Sequence, residues 1–460
     1  MKTPDPKDGP GPGNLEQWDL ECIWHPFTQM MEWEADRPLV IEAAEGMHLT
    51  DVRGNRYLDG VSSLWCNVHG HRHPAIDAAI RDQLKRVAHS TFLGLSNVPA
   101  VLLARKLLGI APPGLQRVFY SDNGSTACEV ALKMAFQYWR QIPRPEPRRT
   151  LFACLREGYH GDTVGSVSIG GIGLFHATYE PLLFETVKLP APHCYRCPLG
   201  LDRGRCSMDC AAAAEEILDR HEGRIAALVM EPLVQGAAGI VVHPPGFLRR
   251  MREAAVKRGI LFIADEVAVG FGRTGTMFAC EQEGVSPDLM AAAKGITGGY
   301  LPLAATLATA AIYDAFRGPA AERKTFYHGH TYTANPLACA AALASLAVFE
   351  TEKTLEVLQG RIAFLARELD RFRGLPHVGD VRHKGFMAGI ELVADPGTKK
   401  LYPAESRTGA RACLAARRRG VILRPLGDVV VLMPPLAMGE RDLSAVLEAA
   451  YEGIREATEL

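Results

Sequence analysis

The sequence predicts an α/β protein in which a large doubly wound sheet domain is accompanied by a small α/β domain. Two observations carry this prediction. From about residue 100 to 345, short apolar runs typical of buried strands alternate with helical segments, as in doubly wound sheets. After a helix predicted from Thr354 to Arg373, the pattern changes to the short strands and helices of a smaller C-terminal unit. A chain of 460 residues is long enough for both.

The composition is that of an ordinary globular protein and excludes several classes. Net charge is −1, which argues against a dedicated nucleic-acid surface, and no apolar run approaches the roughly 20 residues that span a bilayer. Met1 to Gly13 is rich in Pro, Gly and charge without an apolar signal core, so we expect a disordered tail over residues 1–20 and a cytoplasmic protein. The 11 cysteines are expected to be reduced thiols.

The N-terminal region begins with Trp24–Gln29, an aromatic-rich segment in which Pro26 excludes a helix. Residues 39–59 alternate apolar and polar side chains, which predicts a β-hairpin or meander. A polar and aromatic loop, residues 59–71, precedes a helix predicted from Pro74 to Arg86. The loop could be a plain connection, but it concentrates chemically costly residues, which favours a pocket lining: Ser62, Ser63, Trp65 and His69.

Within the large domain, residues 117–127 read as a strand, a tight turn and the start of a helix. Gly124, Ser125 and Thr126 at that start offer free N–H groups and hydroxyls to an anion. An ordinary helix N-cap is the alternative for this turn taken alone.

The central pattern is a pair of buried strands with polar ends. Ile260 to Ala264 predicts a strand that ends in Asp265 and Glu266, and a second apolar run ends in Lys294 before a glycine-rich turn. An acid and a lysine on neighbouring strand ends suit pyridoxal phosphate, with the lysine holding the aldehyde and the acid keeping the pyridine nitrogen protonated. A structural Asp–Lys ion pair is the alternative.

Further polar motifs follow other strands and together identify a family. The chain resembles the class III, fold-type I pyridoxal-phosphate aminotransferases in these motifs: Gly124-Ser125, Tyr159-His160-Gly161-Asp162, Glu231-Pro232, Asp265-Glu266-Val267, the 270–275 Gly-Phe-Gly-Arg-Thr-Gly run, Lys294 with its glycines, and Gly329 to Pro336. The resemblance implies a mixed sheet in a cofactor-binding domain over residues 76–345. It also implies a small domain built from both termini, 21–75 and 346–460.

The resemblance also implies roles for individual residues and a homodimer with shared active sites. Lys294 would bind pyridoxal 5′-phosphate covalently and move a proton, Asp265 would pair with the pyridine nitrogen, and Thr331 would reach the phosphate from the partner subunit. Catalysis is assigned to Lys294, Asp265 and Tyr159. Cofactor binding is assigned to Gly124, Ser125, Tyr159, His160, Asp265, Val267, Lys294 and Thr331. Substrate binding is assigned to Phe27, Leu64, Trp65, Tyr159, Arg273, Gly329 and Arg424, with Arg273 alternatively positioning its own loop.

Within the family, the chain is similar to the subfamily that forms 7,8-diaminononanoate in biotin biosynthesis. This likeness rests on residues 24–29, 59–63, 67–71, 131–139 and 424–427. Three positions, Phe27, Leu64 and Val431, differ from the branch whose amino donor is S-adenosylmethionine and favour the branch that uses lysine. Another class III enzyme acting on ω-amino acids or amines, and a non-enzymatic protein that keeps the fold, are the rival functions.

A cysteine cluster lies in an insertion over residues 193–210. Cys194, Cys197, Cys206 and Cys210 are spaced closely enough to hold a structural Zn²⁺, although the paired CxxC…CxxC pattern is absent. Free or locally paired thiols are the favoured alternative, and the chemistry above requires no metal.

Overall fold

The structure is a computed structural model that describes residues 11–35 and 38–459. Residues 1–10 of the expected disordered tail lie outside the described residues. Disorder over the rest of that tail is wrong, because a helix runs from Pro12 to Cys22. Its proline stands in the first turn, where a missing N–H costs nothing. Its Glu16 is buried and accepts two hydrogen bonds of 2.6 Å from the Arg53 guanidinium.

The strands of the described chain are short and mostly buried. In chain order they are β1 (Ile41–Glu45), β2 (His48–Asp51), β3 (Arg56–Asp59), β4 (Leu115–Ser121), β5 (Leu151–Leu155), β6 (Thr186–Leu189), β7 (Ile225–Met230), β8 (Val234–Gln235), β9 (Val241–Val242), β10 (Leu261–Asp265), β11 (Leu289–Ala292), β12 (Ala304–Thr309), β13 (Val378–Lys384), β14 (Met387–Leu392), β15 (Val421–Ile422), β16 (Arg424–Leu426) and β17 (Val429–Leu432).

The helices alternate with these strands. In chain order they are α1 (Pro12–Cys22), α2 (Met30–Ala35), α3 (Ser62–Trp65), α4 (Pro74–Leu84), α5 (Val98–Ile110), α6 (Gly124–Gln141), α7 (Val164–Ile169), α8 (Gly173–His176), α9 (Asp209–Arg220), α10 (Phe247–Lys257), α11 (Ala310–Ala315), α12 (Pro336–Thr351), α13 (Thr354–Leu369), α14 (Thr408–Arg418) and α15 (Glu440–Thr458). Short 3₁₀ turns span Ala177–Leu182, Arg203–Arg205, Ala279–Glu283, Lys294–Thr297, Ala320–Glu322, Asp370–Gly374 and Ala404–Ser406.

The large sheet has seven strands in the order β4-β12-β11-β10-β7-β5-β6. Strand β12 is antiparallel to both of its neighbours and the other pairs are parallel, so the predicted mixed, doubly wound sheet is confirmed. All six residues of β7 are buried, as expected for a strand covered on both faces by helices. Asp265 pairs in register with Ala291, so the carboxyl ends of β10 and β11 lie side by side.

Three smaller sheets complete the fold, and the shortest is the antiparallel pair of β8 and β9. The predicted meander is confirmed as β1-β2-β3, and β3 pairs in parallel with β15, aligning Leu58 with Val421. This pairing brings the N-terminal segment against the C-terminal unit. The second small sheet has the order β13-β14-β17-β16. Among the described helices, none is both long and apolar enough to span a bilayer.

Candidate active site

Asp265 and Lys294 lie at the carboxyl edge of the large sheet, where β10 and β11 end. Lys294 follows β11 by two residues and adopts a left-handed backbone conformation, with φ of 46°. Its Nζ lies 5.4 Å from the centre of the Trp65 ring. No carboxylate of the described chain lies within 4.0 Å of this Nζ, and Asp265 pairs with His160 instead. The structural Asp–Lys ion pair is therefore not formed.

A cavity of about 760 Å³, called here the main cavity, opens at this edge. It gathers many of the residues singled out from the sequence, although they are spread over 230 positions of the chain (294 − 64). Its lining includes Leu64, Trp65, Gly124, Ser125, Tyr159, His160, Asp265, Val267 and Lys294.

Other predicted site residues lie outside this lining. Phe27 lines a neighbouring side cavity of about 670 Å³, where its ring packs edge-on against Phe175, and the two cavities share Asp162. Arg424 lies on β16, close enough to Tyr159 to affect the pKa of its phenol. Gly329 and Thr331 lie in the loop before α12 and do not reach the main cavity of their own chain.

Arg273 is corrected from a substrate contact to an internal anchor. It is 2 % exposed, and its guanidinium donates to the Pro434 carbonyl at 2.5 Å, the Ser62 hydroxyl at 2.7 Å and the Asn67 carbonyl at 2.8 Å. Burial lowers the pKa of Arg273 to about 10. Its donors are thus directed at neighbouring loops, which agrees with the positioning alternative.

The Asp265 carboxylate is held by groups from three other places in the chain. His160 Nδ1 donates to Oδ2 at 2.7 Å, Cys128 Sγ donates to the same oxygen at 3.5 Å, and the Val267 amide donates to Oδ1 at 3.0 Å. Asp265, His160 and Cys128 are all buried. These contacts fix the orientation of the carboxylate at the strand end.

The start of α6 offers an anion-binding site. The Asn123 side chain caps the helix by accepting from the Thr126 amide at 3.0 Å, so the predicted N-cap is present. The amides of Gly124 and Ser125 nevertheless find no acceptor among the residues that the structure describes. A Cβ on Gly124 would lie 2.5 Å from a Val267 methyl, so only glycine fits this approach.

Ionisable groups around the cavity are shifted by burial. Burial lowers the pKa of the Lys294 amine, and the nearby Asp265 and Glu231 carboxylates oppose that shift. Burial raises the pKa of Glu231 to about 7, although its oxygens accept from the Tyr159 and Gly236 amides. Burial, followed by the 2.7 Å hydrogen bond to Asp162, raises the pKa of the Tyr159 phenol.

The loop that carries Trp65 contains a left-handed turn. Ser62, Ser63, Leu64 and Trp65 have φ values of 46°, 46°, 69° and 72°. The Asp59 carboxylate holds the turn by accepting from the Ser63 amide at 2.9 Å and from its hydroxyl at 2.8 Å. Such runs cost about 1–2 kcal/mol per residue, so the turn depends on these anchors.

Comparison with known proteins decides the family. The family model "Aminotransferase class-III" matches residues 30–452. The chain belongs to the class III aminotransferases. It is 59% identical over 445 residues, 97% of this chain and 82% of the relative, to the adenosylmethionine-8-amino-7-oxononanoate aminotransferase of Nitratidesulfovibrio vulgaris. The protein of the same name from Geobacter sulfurreducens is 54% identical, over 96% of this chain and 98% of the relative.

Solved structures of aminotransferases share the fold. The adenosylmethionine-8-amino-7-oxononanoate aminotransferase of Methanocaldococcus jannaschii superposes with a TM-score of 0.92 at 44% identity, covering 96% of this chain and 98% of the other. An (S)-enantioselective omega-transaminase from Thermomicrobium roseum superposes with a TM-score of 0.91 at 35% identity, covering 97% and 98%. The expected aminotransferase activity and fold are thereby confirmed.

The cofactor of this class III aminotransferase is pyridoxal 5′-phosphate, and the residues present fit it. The free Gly124 and Ser125 amides would hold the phosphate, Asp265 would face the ring nitrogen, and Tyr159 and Val267 would border the ring. His160 Nε2 and Trp65 Nε1 are buried and find no hydrogen-bond partner in the described part of the chain, as polar atoms beside a ligand site can. When bound, the cofactor supplies an aldehyde for covalent attachment and an electron-withdrawing ring.

The chain's own groups prepare this chemistry. An unprotonated Lys294 amine, which burial favours, carries the lone pair needed for attack on a carbonyl and for proton transfer. His160 and Cys128 leave Asp265 little freedom to rotate. Trp65 shields the amine from water on one side.

Sequence reasoning missed Cys128 and misplaced Val431. Cys128 was expected only to be a reduced thiol. It stands one helical turn after Gly124, and this i,i+4 spacing places both residues on one face of α6. Val431 was one of the three positions expected to distinguish the donor, which requires it to lie in the substrate pocket. It is fully buried within β17, opposite Arg424 in the small sheet, and does not reach the main cavity.

Proposed function

We propose that the protein transfers an amino group to 8-amino-7-oxononanoate and forms 7,8-diaminononanoate, a step of biotin biosynthesis. The near full-length identity to relatives named for this acceptor carries the proposal. L-lysine is the proposed donor, and because both substrates use one site in turn, the kinetics should be ping-pong. A cytoplasmic location is part of the proposal and agrees with the free state of all 11 cysteines.

The chemistry of the acceptor matches the site. A nonanoate is a long apolar chain with a carboxylate at one end, and the main cavity combines apolar walls such as Leu64 and Trp65 with polar groups at the sheet edge. Arg424 is proposed to receive the carboxylate, since a guanidinium binds two carboxylate oxygens at once. Among the residues that the structure describes, Arg424 has no acidic side chain within 4.0 Å of its guanidinium, which is therefore available for a substrate carboxylate.

Two residues support lysine as the donor. Leu64 lines the main cavity, and Phe27 lines the side cavity beside it. Neither offers the hydroxyl or the large ring that the adenosyl-using branch has at these positions, so a sulfonium nucleoside loses contacts there. Val431 gives no support, because it is buried away from both cavities. The relatives' names carry adenosylmethionine, which makes that donor the alternative outcome of the test.

The functional unit is proposed to be a homodimer. Gly329 and Thr331 are absent from the main cavity of their own chain, although the resemblance assigns them to the site. A second copy can supply them across a two-fold interface.

The test compares donors in the cofactor-loaded protein. We expect 7,8-diaminononanoate, measured by mass spectrometry, with lysine, and at least about tenfold lower kcat/KM with S-adenosylmethionine, or roughly 1.4 kcal/mol in transition-state binding. The double variant Phe27→Tyr, Leu64→Trp should narrow that gap. Better turnover with S-adenosylmethionine in the unmodified protein would reject the lysine donor and leave the acceptor standing.

One observation favours a second candidate, a broader amine aminotransferase. The omega-transaminase from Thermomicrobium roseum superposes almost as well as the M. jannaschii structure, although its identity to this chain is lower, 35% against 44%. A panel of simple amines and ω-amino acids with pyruvate as acceptor separates the two. Efficient turnover of that panel, with none of 8-amino-7-oxononanoate, would favour the broader enzyme.

A further inference from the structure

The insertion over residues 193–210 has no part in the aminotransfer chemistry, yet it concentrates four of the 11 cysteines. Their spacing is Cys194-x2-Cys197-x8-Cys206-x3-Cys210. The first pair lies in the loop after β6, and Cys210 lies in the first turn of the 12-residue helix α9. Both pairs, Cys-x2-Cys and Cys-x3-Cys, fall within the two to four residues that usually separate paired ligands of structural zinc.

The fold brings these four side chains together. All four line one small cavity of about 70 Å³, a volume suited to an ion and too small for an organic cofactor. None of the four forms a disulfide. The side chains therefore converge in space, which the sequence spacing alone did not establish.

A buried histidine on the same cavity provides an independent indication of a ligand. His193 is 7 % exposed, and its Nδ1 lies 3.3 Å from a Glu157 carboxylate oxygen. Its Nε2 is buried and has no hydrogen-bond partner among the described residues, and the residue lines the cavity that the thiols surround. A carboxylate that orients a histidine from behind is typical of the surroundings of bound metal ions.

The local charge suits a metal thiolate. Four thiolates around Zn²⁺ carry a net charge of −2, which needs cationic neighbours in a partly buried site. Arg203 lines the cavity, and the N-terminal end of α9 adds the positive end of a helix dipole.

We propose that Cys194, Cys197, Cys206 and Cys210 form a structural zinc site. Each binding thiol releases its proton to solvent, and no electron transfer is involved. A Zn–S distance of about 2.3 Å places the sulfurs roughly 3.8 Å apart. The four sulfurs lie farther apart than this. Among the described residues, only Cys128, His160 and Asp265 bring three possible metal-ligand atoms within 4.8 Å of one another. Zinc must therefore draw the insertion thiols closer together. The segment between Cys197 and Cys206 can follow, since it contains only a three-residue 3₁₀ turn.

The site would fasten the insertion to the C-terminal unit. Tyr195 and Arg196 stand between the first two cysteines. Arg196 Nε donates to a Glu391 oxygen at 2.5 Å on β14, and the Lys399 ammonium donates to the Tyr195 carbonyl at 2.8 Å. Zinc that fixes Cys194 and Cys197 therefore also fixes the residues that contact the small sheet.

Metal analysis of the full-length protein, expressed with added zinc and purified without chelator, tests the proposal. We expect about one zinc per chain, and below about 0.1 in the double variant Cys197→Ser, Cys206→Ser. The control Cys22→Ser, an exposed cysteine remote in sequence from the insertion, should keep its zinc. Chelation should lower the melting temperature by several degrees and speed hydrogen exchange of the β14 amides.

Cobalt substitution gives a readout that does not depend on the variants folding. Co²⁺ added to the zinc-free protein should produce the intense thiolate-to-metal absorption of a tetrahedral sulfur site. Absence of zinc and of this absorption in the unmodified protein would overturn the proposal. Zinc retained by the double variant, or disulfides among the four cysteines by mass spectrometry after alkylation under denaturing conditions, would overturn it as well.

Discussion

At the scale of single residues, the hydrogen bonds to Asp265 explain why an acid at this strand end can act on a cofactor. Burying a carboxylate without partners is costly, and here the hydrogen bonds from His160, Cys128 and the Val267 amide offset that cost. The same contacts hold the oxygens in one orientation. The residue is thus both stabilised and aimed by its neighbours.

Replacing Asp265 by Asn should therefore abolish most activity while leaving the fold intact. An amide of the same shape still fills the site but carries no charge to hold a protonated ring nitrogen. We expect kcat to fall by orders of magnitude and the melting temperature of the cofactor-free protein to change little. Asp314→Asn, at an exposed surface pair, is the control. A near-normal rate in the Asp265 variant would remove the residue from the mechanism.

Glu266 gives a prediction about pH. It accepts from the Ala279 and Cys280 amides at 2.9 and 2.8 Å, and burial raises its pKa from 4.5 to about 7. Below pH 4.5 both folded and unfolded chains hold the proton. Between pH 4.5 and about 7 only the folded chain holds the proton. Raising the pH through this range therefore lowers the free energy of unfolding, by at most about 3 kcal/mol.

The measurement is the melting temperature of the cofactor-free protein between pH 5 and 8. Glu266→Gln should be less stable at pH 5, because its amide group must face a backbone N–H, but its stability should depend less on pH. An identical pH dependence in both proteins would show that Glu266 does not bind the proton.

The sequence predicted single residues well where a local pattern signals their position. An acid or lysine directly after an apolar strand is visible in the chain, so Asp265 and Lys294 could be found. Cys128 contacts an oxygen 137 positions away, and no local pattern reports such a contact. For Arg273 the sequence left a substrate contact and a loop-positioning role open. The Pro434, Ser62 and Asn67 acceptors, all distant in sequence, decide for the positioning role.

At the scale of elements, α3 (Ser62–Trp65) is the left-handed turn described above, and no residue propensity predicts it. L-residues avoid this conformation, and the turn contains no glycine. It persists because Asp59, Arg273 and the Met433 carbonyl hold its first two residues. Backbone strain of this kind is concentrated at functional sites, and here it carries Leu64 and Trp65 to the main cavity.

Substitutions at Leu64 should reveal that strain. Its φ is 69° and its side chain is half-exposed. Leu64→Gly therefore removes the backbone strain and gives up little buried surface, whereas Leu64→Val increases that strain. We expect the Gly variant to unfold with a free energy about 1 kcal/mol or more above that of the Val variant.

Leu401 provides the matched control, since it is similarly exposed but has no positive φ. There the same two substitutions should rank in the opposite order or not differ. Equal stability of the two Leu64 variants in urea unfolding would show that the turn is not strained.

At the scale of the whole molecule, the alternation of strands and helices was enough to predict a large doubly wound sheet, whereas its mixed strand directions were implied only by the family resemblance. Hydrophobic period reports which segments are buried and on how many faces. It does not report which distant strands pair, so the parallel contact of β3 with β15 came only with the structure. The helix at Pro12–Cys22 was missed because its local composition is polar and rich in proline. The contact of its buried Glu16 with Arg53, which stabilises it, joins residues distant in sequence.

A complementation experiment tests the proposed shared sites. Inactive Lys294→Ala subunits and inactive Thr331→Glu subunits are mixed and refolded or co-expressed. In a mixed dimer with shared sites, one site combines an intact Lys294 with an intact Thr331, so about a quarter of wild-type activity should return. Sedimentation should show a dimer. Its interface should bury more than about 2,000 Å² in total, as in obligate dimers. No recovery of activity in verified mixed dimers would reject sharing.

The pairing of Leu58 with Val421 also sets an order of events during synthesis. These partners are 363 residues apart (421 − 58), so at a rate on the order of 10 residues per second about half a minute passes before β15 leaves the ribosome. Until then the edge of β3 is open to other extended chains. A messenger truncated before β15 would release a chain whose first sheet stays open at that edge, a ready target for chaperones and proteases.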